Sequence, residues 1–229
     1  MFAAMDPKAR AAQAALSFLK SGMVVGVGTG TTSDAFMQAL ARELRSGRLT
    51  NIRGVPTSRR SQQRAAELGI GLVSLRQCPR PDVTVDGADE IAPNLDLIKG
   101  LGGALLREKV IAQASAQLII IADSSKAVDR LGTRSPLPVE VVPFEHECHD
   151  EFFRSLGAVP VLRRAPDGSP FVTDNGNYIY DCRFAAIDDP VRIEDRVLHR
   201  AGVVDCGLFL GMARVALIAD ERGVRELRR

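Results

Sequence analysis

The sequence predicts an α/β protein: a mostly parallel sheet with helices on both faces, plus an inserted smaller α+β domain of ferredoxin-like type. Three observations lead there. Short β-rich runs alternate with helical stretches through about the first 130 residues, as a parallel sheet with crossover helices requires. After Leu131 the runs follow the order β, α, β, β, α, β, which suits an antiparallel sheet with helices on one face. A last apolar run, ARVALIAD, reads as a strand returning to the first domain. The expected divisions are residues 1–133 for the first part of the α/β domain, 134–206 for the small domain and 207–229 for the return.

Element by element, the helical stretch PKARAAQAALSFLK precedes the strand MVVGVG, DAFMQALARELRS precedes NIRGVP, and SRRSQQRAAELG precedes IGLVSL. The strands DVTVDG and LDLIKG follow, then a helix from Ala104 to about Ala116 and the apolar strand QLIIIAD. In the small domain SPLPVEVVPF reads as strand and EHECHDEFFRSLG as helix. VPVLRR and FVTDNGNYIYDCRF read as strands with turns, DPVRIEDRVLHRAG as helix and VVDCGLFL as strand.

Composition narrows the function. Hydrophobic residues make up 45% of the 229, and 30 basic against 28 acidic residues give a net charge of +2, far from the basic stripe of a nucleic-acid binder. An anionic ligand therefore needs a local site. Cys78, Cys148, Cys182 and Cys206 are widely spaced with no CxxC, which favours reduced thiols and a cytoplasmic protein. No run of about 18 apolar residues suggests a membrane span, and the N-terminus lacks a signal-peptide core.

Four stretches carry chemistry. In VVGVGTGTTS, residues 24–33, glycines remove side chains beside hydroxyls and free N–H groups, which suits a phosphate. No lysine follows Gly30 as a Walker loop demands, and Gly26, Gly28 and Gly30 give GxGxG instead of the dinucleotide GxGxxG. A plain strand-to-helix turn with Thr31, Thr32 or Ser33 as N-cap would explain the loop by itself. In VTVDGADEI, Asp86 ends a strand and stands with Asp89 and Glu90. These acids form either an Asp-Gly turn or, with no His or Cys nearby, contacts to a polyhydroxylated substrate in place of a metal.

In LIKGLGGALLREKVIAQ, Lys99 ends a strand and Glu108 lies about one turn into the next helix. Helical periodicity sets Glu108 on a face with Ala104, Ile111, Ala112 and Ser115, where desolvation raises a carboxylate pKa and suits a general base. A solvated ion pair with Lys109 or Arg107 is the competing assignment. In IADSSKAV, Lys126 with Ser124 and Ser125 offers a cation and hydroxyls to a phosphate, or is simply solvated.

In this order and spacing, VGVGTGTT, VDGADEI, KGLGGALLREK and IADSSK, with PLPVEV and VTDNGN, resemble ribose-5-phosphate isomerase of type A over nearly the whole chain. The resemblance implies interconversion of D-ribose 5-phosphate and D-ribulose 5-phosphate through a cis-enediolate, in the pentose phosphate pathway, without metal or organic cofactor. It implies Glu108 as general base, with Lys99, Asp86 and Asp89 opening the ring and holding hydroxyl and enediolate oxygens. It also implies ligand contacts from Thr29, Gly30, Thr31, Thr32, Gly87, Ala88, Gly100, Leu101, Gly102 and Lys126, with Lys8 as a further phosphate contact, and a homodimer or homotetramer. Leu101 and Thr31 depart from the glycine and serine common there.

Two rival classes keep a place: a non-catalytic sugar-phosphate sensor, and an aminosugar-phosphate deaminase or CoA transferase on a related scaffold. A sensor has no need of Glu108 with Lys99, and a deaminase is expected to use a histidine, yet His146, His149 and His199 all fall in the expected small domain. The cluster His146, Cys148, His149 reads as the start of an amphipathic helix, with metal binding as the alternative.

Overall fold

The structure is a computed structural model and describes residues 6–229. In chain order its first elements are α1 (Pro7–Ala15), β1 (Val24–Val27), α2 (Thr31–Arg45), β2 (Arg53–Pro56), α3 (Arg59–Glu67), β3 (Gly71–Leu72) and β4 (Val83–Asp86). Next come β5 (Glu90–Ile91), β6 (Leu97–Ile98), α4 (Leu105–Ala114) and β7 (Leu118–Asp123). The rest are β8 (Leu137–Val141), α5 (His149–Ser155), β9 (Val159–Leu162), β10 (Tyr178–Arg183), α6 (Pro190–Leu198), β11 (Val203–Cys206), β12 (Leu208–Phe209), β13 (Ala213–Ala219) and β14 (Val224–Arg228). The chain divides into two compact units. One takes the chain up to Ala88, Arg107–Ala127 and Gly211–Arg229; the other takes Asp89–Leu106 and Val128–Leu210.

The first unit is the mostly parallel sheet that the alternating runs predict. Its strand order is β14-β13-β7-β4-β1-β2-β3, parallel except for β14, which pairs antiparallel with β13. The pleat sends Val25, Val27, Val83, Val85, Ile119 and Ile121 to one face, where they meet Ala11 and Ala15 of α1 and Phe36 and Leu40 of α2. Each of these valine, isoleucine, leucine and phenylalanine side chains, fully buried, stabilises the fold by about 1.5–3 kcal/mol. Val24 and Val55 point to the other face, against Ile111 of α4, so helices cover both sides. From β1 the chain builds β2 and β3 on one flank and returns to place β4 on the other. The order in which strands are added therefore reverses between the parallel neighbours β1 and β4, a switch point of the kind where ligands collect at strand carboxyl ends.

In the second unit β8, α5, β9, β10, α6 and β11 form an antiparallel sheet of order β11-β8-β10-β9, the ferredoxin-like arrangement expected from the βαββαβ pattern. Leu137, Val139, Val141, Cys182 and Cys206 pack with Phe153 of α5 and Val197 of α6 in one core. A separate small sheet runs β12-β6-β5.

Three segments depart from the sequence reading. VVDCGLFL is two strands, because the Gly207 N–H donates to the Pro138 carbonyl while its own carbonyl accepts from the Lys99 N–H, leaving Leu208–Phe209 to pair with β6. In FVTDNGNYIYDCRF only Tyr178–Arg183 is strand. Residues 172–177 form a loop instead, in which Thr173, Asn175 and Asn177 side chains donate to the buried Glu140. EHECHDEFFRSLG opens as a 3-10 turn, His146–Cys148, before α5. There His146 lies against Tyr178, with Nδ1 3.0 Å from the Tyr180 hydroxyl, and His149 is buried. Among the described residues no helix is long and apolar enough to cross a membrane.

Candidate functional site

Residues implied for the site occur in both units. In the first, the loop after β1 leads into α2, whose N-cap is Gly30 and not a hydroxyl residue; Thr31, Thr32 and Ser33 occupy the first turn. Gly30 has φ 111° and ψ 176°, a conformation open essentially to glycine alone. No side chain caps this end, so the first-turn N–H groups of a 15-residue helix, with its positive dipole end, remain available to an anion. From α1, Lys8 Nζ donates to Thr31 Oγ1 at 3.1 Å. The Thr29 hydroxyl bonds Thr57 and Ser58 beyond β2, each at 2.8 Å, which fixes the loop.

Asp86, at the end of β4, is 1% exposed. Its Oδ1 accepts from the Thr29 N–H at 3.1 Å, the Ser33 hydroxyl at 3.0 Å and the Gly87 N–H at 2.8 Å. One carboxylate thus joins the first loop to the VDGAD turn that carries Gly87 and Ala88. A Cβ at Gly28 would collide with this carboxylate, which is why that position has no side chain.

Beyond β7, Asp123 accepts from the Ser125 N–H and hydroxyl. Burial pushes the Asp123 carboxyl up, but the Ser125 bonds and the Lys126 and Lys8 ammoniums outweigh it and hold it below the usual carboxylate range. Two cations, a persistently ionised acid and a helix N-terminus therefore occupy the carboxyl ends of the neighbouring strands β7, β4 and β1. On α4, Glu108 is 3% exposed and Ile111 and Ala112 are buried, so the helix face read from periodicity is the inward one. Lys109 is buried too, while Arg107 is half-buried.

In the second unit Lys99 is 3% exposed, its ammonium 5.4 Å from the Phe209 ring centroid. After it, the Asp89 carboxylate accepts from the Leu101 N–H at 2.9 Å, and the Gly103 N–H donates to the Gly100 carbonyl at 3.0 Å. Leu101 and Gly102 are exposed. Glu90 parts from its neighbouring acids: it is fully buried and accepts from the Gly132, Arg134 and Ser135 N–H groups at 2.6 Å each, anchoring that turn.

Sequence reasoning passed over Ser33 except as a cap, and passed over Thr57, Ser58 and Asp123 altogether. Asp123 carried a legible signal, an acid closing an apolar strand two residues before a serine. Thr57 and Ser58 carried none, since only the pairing of β1 with β2 brings them to Thr29.

Residues 53–223 match the family model described as ribose 5-phosphate isomerase A (phosphoriboisomerase A). A ribose-5-phosphate isomerase A of Roseiflexus castenholzii is 50% identical over 218 residues, covering 95% of this chain and 93% of that protein. One from Deinococcus radiodurans is 48% identical over 97% of each. Among solved structures, ribose 5-phosphate isomerase from Plasmodium falciparum has a TM-score of 0.93 at 38% identity, covering 98% of this chain and 99% of the other. A D-ribose-5-phosphate isomerase in complex with phospho-erythronic acid has a TM-score of 0.96 at 39% identity, over 98% and 100%. With the strand-end loops in place and similarity running along nearly its whole length, the chain belongs to the ribose 5-phosphate isomerase A family.

Proposed function

We propose that this protein interconverts D-ribose 5-phosphate and D-ribulose 5-phosphate by proton transfer through a cis-enediolate, in the non-oxidative branch of the pentose phosphate pathway. The observation that carries the reading is a carboxylate and an ammonium, Glu108 and Lys99, nine residues apart and each only 3% exposed. A base kept from water abstracts a proton beside a carbonyl effectively, provided the developing oxyanion has a preorganised partner. Glu108 removes the C2 proton of the open-chain aldose, the electrons form the C1–C2 double bond of the enediolate, and the same carboxyl returns the proton to C1 while the hydroxyl proton passes from O2 to O1. Lys99 stabilises the enediolate oxygens, while Asp86 and Asp89 assist ring opening and hold hydroxyls. The phosphate goes to Thr29–Thr32 at the start of α2, with Lys8 and Lys126, and Gly87, Ala88 and Gly100–Gly102 line the sugar.

This chemistry calls on no metal or organic cofactor. No observation favours the sensor, deaminase or CoA transferase readings over it. We further propose a cytoplasmic homodimer or homotetramer. Four free cysteines support the first, and the exposed Phe144, Val159, Val161 and Val172 of the second unit support the second. The test is a direct assay of ribose 5-phosphate isomerisation by the full chain with excess chelator. Turnover to ribulose 5-phosphate is expected, and a folded protein that binds the sugar phosphate without converting it would make this a sensor.

A further inference from the structure

The loop Gly100–Gly103 contains three glycines, so its own sequence selects no single shape. A residue far along the chain does. Arg163, just past β9, donates from Nη1 to the carbonyls of Gly100 and Leu101, 3.1 Å each. Its other edge is held by Asp181 of β10, with Nε to Oδ2 at 2.9 Å and Nη2 to Oδ1 at 2.5 Å. The Phe171 ring lies 5.7 Å from the guanidinium carbon and fills the space where Gly103 lacks a side chain, a Cβ there falling 2.5 Å from the ring. Both charged side chains are largely covered, at 13% and 23% exposure.

The carbonyl and N–H of a trans peptide point in opposite directions, and the described residues contain no cis bond. Two carbonyls turned onto Arg163 therefore turn the Leu101 and Gly102 N–H groups the other way. Leu101 accordingly meets Asp89. The guanidinium also polarises both peptides, which strengthens those N–H groups as donors.

We propose that Arg163, locked by Asp181, is a positioning residue for the isomerisation: it fixes the loop after Lys99 so that the Leu101 N–H holds the Asp89 carboxylate in place and the Gly102 N–H and Asp89 face the substrate oxygens. This rests on the isomerase reading above. A lysine cannot replace it, because one ammonium cannot hold a carboxylate in a fork and two carbonyls together.

The experiment compares wild type, Arg163→Met, Arg163→Lys and Asp181→Asn as full chains, by steady-state kinetics with ribose 5-phosphate and by amide hydrogen exchange. In Arg163→Met, kcat is expected to fall roughly 10- to 100-fold with KM changed less than about threefold, because the loop is misplaced while the phosphate contacts stay intact. Arg163→Lys should recover only a small part of the loss, and Asp181→Asn should lose about tenfold in kcat. Exchange should quicken across residues 99–106 and stay unchanged across residues 24–33. A folded Arg163→Met with wild-type kcat, or a loss confined to thermal stability, would overturn the proposal. If that variant does not fold, wild-type kcat in Asp181→Asn overturns it equally. A wild type without isomerase activity would instead refute the isomerase reading, and the exchange data would still decide whether Arg163 holds the loop.

Discussion

In the first unit, the glycine loop from Gly28 to Thr32 is shaped by the strand before it, the helix after it and the next strand of the sheet: Gly30 caps α2, and Asp86 on β4 takes the Thr29 N–H. In the second unit, the loop Gly100–Gly103 is held by Arg163, 63 residues beyond Gly100, together with Phe171 and Asp89. The anion contact proposed for the first loop rests on a helix end, a local property of backbone. The second depends on side chains brought in by the ferredoxin-like sheet. A chain can thus encode two loops of like composition by unlike means, one readable from neighbours and one only from tertiary structure.

The contrast has chemical content only if turnover depends on the residue that follows the second loop. Glu108→Gln should lower kcat by about 10²- to 10⁴-fold while the Kd for ribose 5-phosphate barely moves. Near wild-type turnover would remove Glu108 from the mechanism. Next in size, Gly28→Ala pushes a Cβ into the Asp86 carboxylate and should cost roughly 10²-fold in kcat/KM, with a lowered Tm. Unchanged kinetics would mean that the first loop does not depend on the Asp86 contact. Lys126→Ala should weaken binding of ribose 5-phosphate roughly tenfold and leave unphosphorylated ribose unaffected. Equal losses for both sugars would take Lys126 away from the phosphate.

The smallest effect belongs to the second unit alone. His149 is 1% exposed, and burial, then the charges of Arg200 and His146, hold its imidazole below the ordinary value. The folded state then binds this proton less readily than the unfolded chain, so the stability contributed is complete above about pH 6.5 and is lost as pH falls toward the depressed folded value. Thermal midpoints measured from about pH 7 down to pH 5.5 should decline in wild type and flatten in His149→Gln. An identical slope in both would assign the decline to other groups.

What the sequence disclosed follows the same division. The parallel sheet was legible because VVGV, VTVD and LIIIAD are apolar runs ending at polar turns, and the buried position of Glu108 was one of two readings open because helical periodicity set it beside Ile111 and Ala112. The edge strand β14 was not, since Val224–Arg228 is mostly charged and pairs only because β13 offers an open edge. The split at Gly207 was hidden for a related reason: its hydrogen bonds go to Pro138 and Lys99, which are distant in sequence. Arg163 lies within the run VPVLRR, read only as a strand, and nothing beside it announced the carbonyls it would hold.

The central claim, that hydrogen moves as a proton carried by Glu108, is tested most directly by running the isomerisation in deuterium oxide with excess chelator. A carboxyl holding the abstracted proton can exchange it with solvent before returning it. Carbon-bound deuterium at C1 of ribulose 5-phosphate or C2 of ribose 5-phosphate, with activity intact, is the expected result; a partly shielded base gives partial label. No carbon-bound deuterium, together with activity that vanishes on chelation and returns with a divalent metal, would contradict it and indicate hydride transfer instead.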